Sequence, residues 1–213
     1  MIVNDRITDY IKSLEKDRSP LLTKIGKKAR QEGVPIIREE TAAFLQTMTA
    51  AMRPKAILEV GTAVGYSTLL MAEAMPPDCH ITTIEKYEKR IPEAKENFIE
   101  AGETERITLL EGDAQEILKG LDRPFDLVFM DAAKGQYLLW LPRILELMAP
   151  GGMLISDNVL QDGDIIESRY AVERRNRTIH GRMREYLYEL KHSERLTTTI
   201  VPIGDGITVS ILI

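Results

Sequence analysis

Two short segments carry acids and a lysine in an order that suits divalent-cation chemistry. Asp131-Ala132-Ala133-Lys134-Gly135-Gln136-Tyr137 follows one apolar run, and Asp157-Asn158 follows another. If those runs are neighbouring strands, Asp131, Asp157 and Asn158 bring three hard oxygens to one spot. Half an octahedral shell of that kind fits Mg²⁺ or Mn²⁺, which keeps positions for water and substrate oxygens. Lys134 sits three residues beyond Asp131. Beside a divalent cation its charged form is disfavoured, which suits it to act as the catalytic base. Each piece also has a plainer reading: Asp131 as a helix cap, Asp157-Asn158 as a turn, Lys134 as a solvated surface side chain. Convergence at adjacent strand ends favours the metal. Zinc does not fit, because His80, His180 and His192 are scattered and Cys79 stands alone.

A second constellation points to a cofactor. Glu59-Val60-Gly61-Thr62-Ala63-Val64-Gly65-Tyr66-Ser67 closes an earlier apolar run. Gly61 and Gly65 let the backbone approach a ligand and turn sharply into a helix. The spacing is not the G-x-G-x-x-G pattern that holds a pyrophosphate. Glu59, two residues ahead of the first glycine, suits a cationic ligand better than a phosphate. Glu85 ends the next run, where a carboxylate can accept from both ribose hydroxyls. Asp113-Ala114 follows the third run, placed for an adenine edge. Ribose, adenine and a cationic amino-acid tail together describe S-adenosylmethionine. Taken alone the glycines could simply form a tight turn, and the spacing of Glu85 and Asp113 argues against that.

These residues need an open sheet to bring them to one edge. Strand patterns fall at Ala56–Val60, Ile81–Glu85, Ile107–Leu110, Leu127–Met130 and Met153–Ser156, and helical patterns at Ser67–Ala74, Lys89–Ala101, Ala114–Leu121 and Gln136–Met148. The alternation predicts a doubly wound α/β domain, Rossmann-like, with a parallel sheet covered on both faces. A long helix is expected from about Ile166 to Lys191, with Met183, Tyr186, Leu187 and Leu190 as its buried stripe. Thr197–Val201 and Ile207–Ile213 then form an antiparallel hairpin around Pro202-Ile203-Gly204-Asp205-Gly206, giving seven strands. Residues 1–53 read as a helical cap, with Ile7, Tyr10, Ile11 and Leu14 at helix spacing and an extended Val34-Pro35-Ile36-Ile37 linker. At 213 residues the whole chain reads as one domain.

Composition excludes several classes. No apolar stretch approaches membrane-spanning length. A lone Cys79 and no leader pattern across Met1 to Arg18 predict a reducing, cytoplasmic home. The net charge is −5, yet Arg169 to Arg184 holds six arginines against one acid, Glu173. Arg174, Arg175, Arg177 and Arg182 could thus grip RNA phosphates, or could form a solvated helix face. Lys24, Lys27, Lys28 and Arg30 could extend that basic surface. Tyr137 and Trp140 are the aromatic candidates for stacking on a substrate base.

Glu-Val-Gly-Thr-Ala-Val-Gly-Tyr-Ser, Asp-Ala-Ala-Lys-Gly-Gln-Tyr and Ser-Asp-Asn-Val-Leu together resemble the metal-dependent class I O-methyltransferases, which include catechol and caffeoyl-CoA enzymes. The likeness runs from Gly33-Val34-Pro35-Ile36 to Gly204-Asp205-Gly206. Within that family the chain is most similar to the bacterial branch that methylates 5-hydroxyuridine at the tRNA wobble position. Members of that branch have an Arg-rich stretch and a late Pro-x-Gly-Asp-Gly. The resemblance implies Mg²⁺ at Asp131, Asp157 and Asn158, Lys134 as base, and a cofactor lined by Ile37, Ser67, Glu85, Asp113, Ala114 and Asp131. It also implies a tRNA anticodon stem-loop as partner and a homodimer. The bulky gatekeepers that catechol enzymes place around their substrate have no identified equivalents. With 5-hydroxyuridine, the 5-hydroxyl and 4-carbonyl would be the vicinal oxygens; a catechol supplies the same pair.

Overall fold

The structure, a computed structural model, describes residues 4–168 and 170–213. Arg169 and the first three residues of the segment read for a leader lie outside them. Seven strands form one sheet: β1 (Ala56–Val60), β2 (His80–Glu85), β3 (Ile107–Glu111), β4 (Phe125–Met130), β5 (Met148–Ser156), β6 (Leu196–Val201) and β7 (Ile207–Leu212). Their order is β3-β2-β1-β4-β5-β7-β6. The first five pair in parallel, and β7 runs antiparallel to both β5 and β6. This is the mixed sheet with an antiparallel C-terminal hairpin that the sequence predicts.

Successive residues along a strand point to opposite faces, and the apolar set divides accordingly. Ile57, Leu127, Phe129 and Ile155 belong to one core, packed beneath α2 (Pro20–Gln31), α3 (Glu39–Met52), α4 (Tyr66–Ala74) and α5 (Ile91–Glu100). Leu58, Val60, Val128, Met130 and Leu154 belong to the other, beneath α6 (Ala114–Gly120), α7 (Tyr137–Leu147) and α8 (Arg177–His192). Two covered faces explain why the central strands are apolar almost throughout. Ser19 caps α2, accepting from Leu22 N–H at 3.3 Å, with Pro20 at the first helical position. The opening helix α1 (Asp5–Leu14) leaves its apolar stripe exposed, with Tyr10 at 65% and Leu14 at 66%. Among the described residues no helix is long and apolar enough to cross a membrane.

Register matters most for the site. Val60 pairs with Ile84 on one side and Met130 on the other, and Met130 pairs with Ser156. The next residues, Gly61, Glu85, Asp131 and Asp157, therefore emerge level with one another. They surround the β1–β4 boundary, where strand order reverses and a doubly wound sheet opens a crevice.

Two expectations need correction. β5 starts at Met148 rather than Met153, because Ala149-Pro150-Gly151-Gly152 stays in the sheet across a register shift opposite Phe125 and Leu127. The helix expected from about Ile166 begins only at Arg177. Before it, 3₁₀ turns occupy Gln161–Ile166 and Arg174–Asn176. Ser168 closes a local turn onto the Ala171 N–H, and Val172 is buried, so this stretch has side-chain and core partners that compete with a helix.

Candidate functional site

The strand ends, the Val34–Ile37 linker and the Gly204–Gly206 turn enclose a cavity of about 640 Å³. Ile37, Gly61, Ser67, Glu85, Asp113, Ala114, Asp131, Lys134, Asp157 and Asn158 all line it. Of the residues named from the sequence for metal, base and cofactor, only Glu59 stands outside its wall.

Glu59 is 0% exposed and lies behind the first turn. It shares strand parity with Ile57, so it points into the core under α4. There Ser67 Oγ donates to Oε1 at 2.5 Å, Thr83 Oγ1 donates to Oε2 at 2.6 Å, and Thr68 also donates to Oε2. Burial lifts its pKa to about 7 against those three donors. The reading of Glu59 as a direct partner of a cationic ligand is thus corrected: it fastens α4 to β1 and β2. Gly61 is required for chain packing too. Its φ is +109°, and an added Cβ would overlap the Asp131 carbonyl oxygen. Gly65, at φ +82°, caps α4 against the Phe98 ring.

Glu85 emerges from β2 in the ribose-binding position of such folds. Oε2 accepts from Ala63 N–H at 2.7 Å, and Oε1 accepts from Lys86 and Tyr87 N–H at 2.9 and 2.8 Å. These bonds fix the carboxylate while leaving acceptor capacity toward the cavity. Asp113 caps α6 by accepting from Gln115 N–H at 2.9 Å, and so sets Ala114 on the cavity wall. The plain role and the proposed one coexist there.

Asp131 and Asp157 face a charge problem. Burial raises both pKa values, and their mutual repulsion, with Asp205 adding to it, raises that of Asp157 further. The Lys134 ammonium opposes the shift at both. Lys134 itself opens the 3₁₀ turn Lys134–Gln136 and is half-buried. Two crowded carboxylates and a neighbouring carboxamide oxygen form a hard-oxygen set short of positive charge, which fits Mg²⁺. Among the described residues no three Asp, Glu, His or Cys side chains gather closely enough to hold a metal alone, so the candidate set depends on Asn158.

Tyr137 and Trp140 do not stack into open space. Tyr137 is fully buried; its hydroxyl donates to Met130 O at 3.0 Å and accepts from Ala132 N–H at 3.2 Å, pinning the end of β4. Trp140 is 6% exposed and lines the cavity edge. The arginines also depart from expectation. Arg174 and Arg175 precede α8, and Arg175 pairs with Glu173 at 2.7 Å. Arg177 lies over the Tyr170 ring and donates to Val172 O at 3.2 Å, while Arg182 donates to Gly135 O at 2.9 Å. They therefore do not share one free helix face. Lys24, Lys28 and Arg30 are likewise paired, with Glu100, Glu93 and Glu39.

Sequence reasoning named Asp205 within a turn motif and gave it no role in the site. It is buried on the cavity wall, beside Asn158, because β7 returns antiparallel to β5 and carries the hairpin turn to the sheet's carboxyl edge. An acid between two glycines in that turn was the available signal.

A family model described as O-methyltransferase matches residues 12–213. The chain is similar to a catechol O-methyltransferase of Niastella koreensis, with 32% identity over 169 residues and 76% of each chain covered. It is 32% identical over 178 residues to caffeoyl-CoA O-methyltransferase 1 of Eucalyptus globulus, covering 78% of this chain and 70% of that one. Among solved structures, the S-adenosylhomocysteine-bound methyltransferase PaMTH1 of Podospora anserina matches with a TM-score of 0.88 at 25% identity. That match covers 98% of this chain and 94% of the other.

Proposed function

The chain belongs to the O-methyltransferase family, and we propose that it methylates one of two vicinal oxygens on a small catechol- or caffeoyl-type aromatic. S-adenosylmethionine supplies the methyl group, as a sulfonium that needs only an in-line nucleophile about 3 Å away. Asp131, Asp157 and Asn158 would hold a divalent ion such as Mg²⁺, which would supply the electrostatic pull that lowers a substrate hydroxyl's pKa. One observation carries this reading: Lys134 stands with Asp131, Asp157 and Asn158 on one wall of a cavity whose other wall holds Glu85 and Ala114.

The chain's own groups divide the work. Glu85 accepts from the ribose hydroxyls, and Ile37 and Ala114 close apolar surface around the adenosine. Asp131, Asp157 and Asn158 would fix the ion, and with it the place of the substrate's oxygen pair. Lys134 Nζ, as the neutral amine, would receive the hydroxyl proton, leaving an oxyanion to attack the methyl carbon as the C–S bond breaks and S-adenosylhomocysteine leaves. The linker Val34–Ile37 excludes water from above.

A tRNA substrate would use the same chemistry but needs arginines free for phosphates. Arg177 and Arg182 spend N–H groups on loop carbonyls, Arg175 pairs with Glu173, and both named relatives carry small-molecule names. These points favour the small aromatic. Asp157→Ala should abolish methyl transfer that wild type performs with Mg²⁺. Wild-type-like turnover of that variant in EDTA would remove the metal from the account.

A further inference from the structure

The Pro-Ile-Gly-Asp-Gly turn has no role in the chemistry above, yet it is built against it. Val159 N–H donates to Gly206 O at 2.9 Å and Leu160 N–H donates to Asp205 O at 3.1 Å, so the turn is stitched to the segment that follows β5. Both flanking glycines have positive φ, +57° at Gly204 and +89° at Gly206. A Cβ at Gly204 would come within 2.5 Å of the Thr41 hydroxyl, and one at Gly206 would overlap Leu160. Only a glycine on each side lets the turn sit this close.

Asp205, between them, is 8% exposed. Its Oδ2 accepts from Asn158 Nδ2, and its Oδ1 is buried without a hydrogen-bond partner among the described residues. Asn158 adopts φ +60°, a left-handed conformation that asparagine tolerates better than most residues. A carboxamide has a donor end and an acceptor end, whereas a carboxylate only accepts. Asp205 can therefore hold only the nitrogen end, and the oxygen end is left free to face a cation.

We propose that Asp205 is a positioning residue, which fixes the Asn158 carboxamide so that its oxygen serves as the neutral third donor of a divalent-cation site. The proposal rests on the reading of Asp131, Asp157 and Asn158 as that site. Asp205 acts through Asn158, whose amide nitrogen donates to its Oδ2. Outer partners of metal ligands commonly contribute about 10- to 100-fold in affinity.

The test is Mn²⁺ titration of the purified full chain, followed by electron paramagnetic resonance of the free ion and by calorimetry. Wild type, D157A, D205A and D205N are compared, with S-adenosylhomocysteine affinity and thermal melting as controls. Asparagine at 205 can still accept from Asn158 but carries no charge. The expected result is loss of binding in D157A, about 10- to 100-fold weaker Mn²⁺ binding in D205A, and affinity within about threefold of wild type in D205N. S-adenosylhomocysteine binding stays unchanged throughout the Asp205 series. D205S, whose hydroxyl falls short of Asn158, replaces D205A where the alanine variant does not fold. If D205A binds Mn²⁺ like wild type while D157A does not, the positioning role is overturned and the cation site stands. Equal weakening in D205A and D205N assigns the effect to charge and also overturns it. A wild-type chain without Mn²⁺ affinity overturns both the site and the role of Asp205.

Discussion

Glu59 makes a prediction whose size follows from its surroundings. Its carboxyl is 0% exposed, and burial raises its pKa from 4.5 to about 7 despite three hydroxyl donors. The folded state therefore holds this proton more tightly than the unfolded chain does. Stability from this group is fully present below about pH 4.5 and is lost as pH rises through about 7. At about 1.36 kcal/mol per pKa unit, the loss between about pH 5 and about pH 8 integrates to roughly 2.5 kcal/mol. Glu59→Gln cannot ionise, so the variant should lack this slope, whatever constant offset the amide introduces. Urea unfolding of both proteins across that range is the assay. The difference in unfolding free energy, variant minus wild type, should grow by about 2.5 kcal/mol toward the alkaline end, or roughly 1 M in urea midpoint. Asp157 titrates in both proteins and cancels in the difference, whereas the Asp131 charge, which helps to push the Glu59 pKa up, enters through that coupling. A difference that stays constant across the range would refute the reasoning.

Other perturbations probe separate links. Gly61→Ala drives a Cβ into the Asp131 carbonyl at a φ of +109°, and should cost about 3 kcal/mol, or roughly 10 °C in melting temperature. Lys134→Gln should slow methyl transfer by about 100- to 10,000-fold, while calorimetry shows S-adenosylhomocysteine affinity retained. The double variant Arg174→Glu with Arg175→Glu should leave turnover of a catechol and its salt dependence unchanged in initial-rate assays. Trp140 is the chain's only tryptophan and lines the cavity, so S-adenosylhomocysteine should shift its emission saturably.

What the sequence made legible was what depends on local pattern. The apolar runs ending in Glu85, Asp131 and Asp157 announced parallel strands, and parallel pairing in level register brought those ends together. Glu59 was misread because its residue type suggested a ligand, whereas its parity with Ile57 sends it under α4. The start of α8 was missed because helix spacing continues through Arg174, while Ser168 and buried Val172 hold the preceding chain in a turn. Asp205 depends on β7 lying antiparallel beside β5, a pairing that links residues some fifty positions apart and leaves no periodic trace. The arginine run looked like a free surface because Arg177 and Arg182 donate to backbone carbonyls, which no side-chain pattern reveals.

The most direct measurement is labelled methyl transfer from S-adenosylmethionine by the purified chain with Mg²⁺, offered a panel of catechols and caffeoyl derivatives beside tRNA containing 5-hydroxyuridine. The account predicts label on a hydroxyl of the small aromatics, lost on adding EDTA and restored by excess Mg²⁺. Label confined to the tRNA, or transfer to the aromatics undiminished in EDTA, would contradict it.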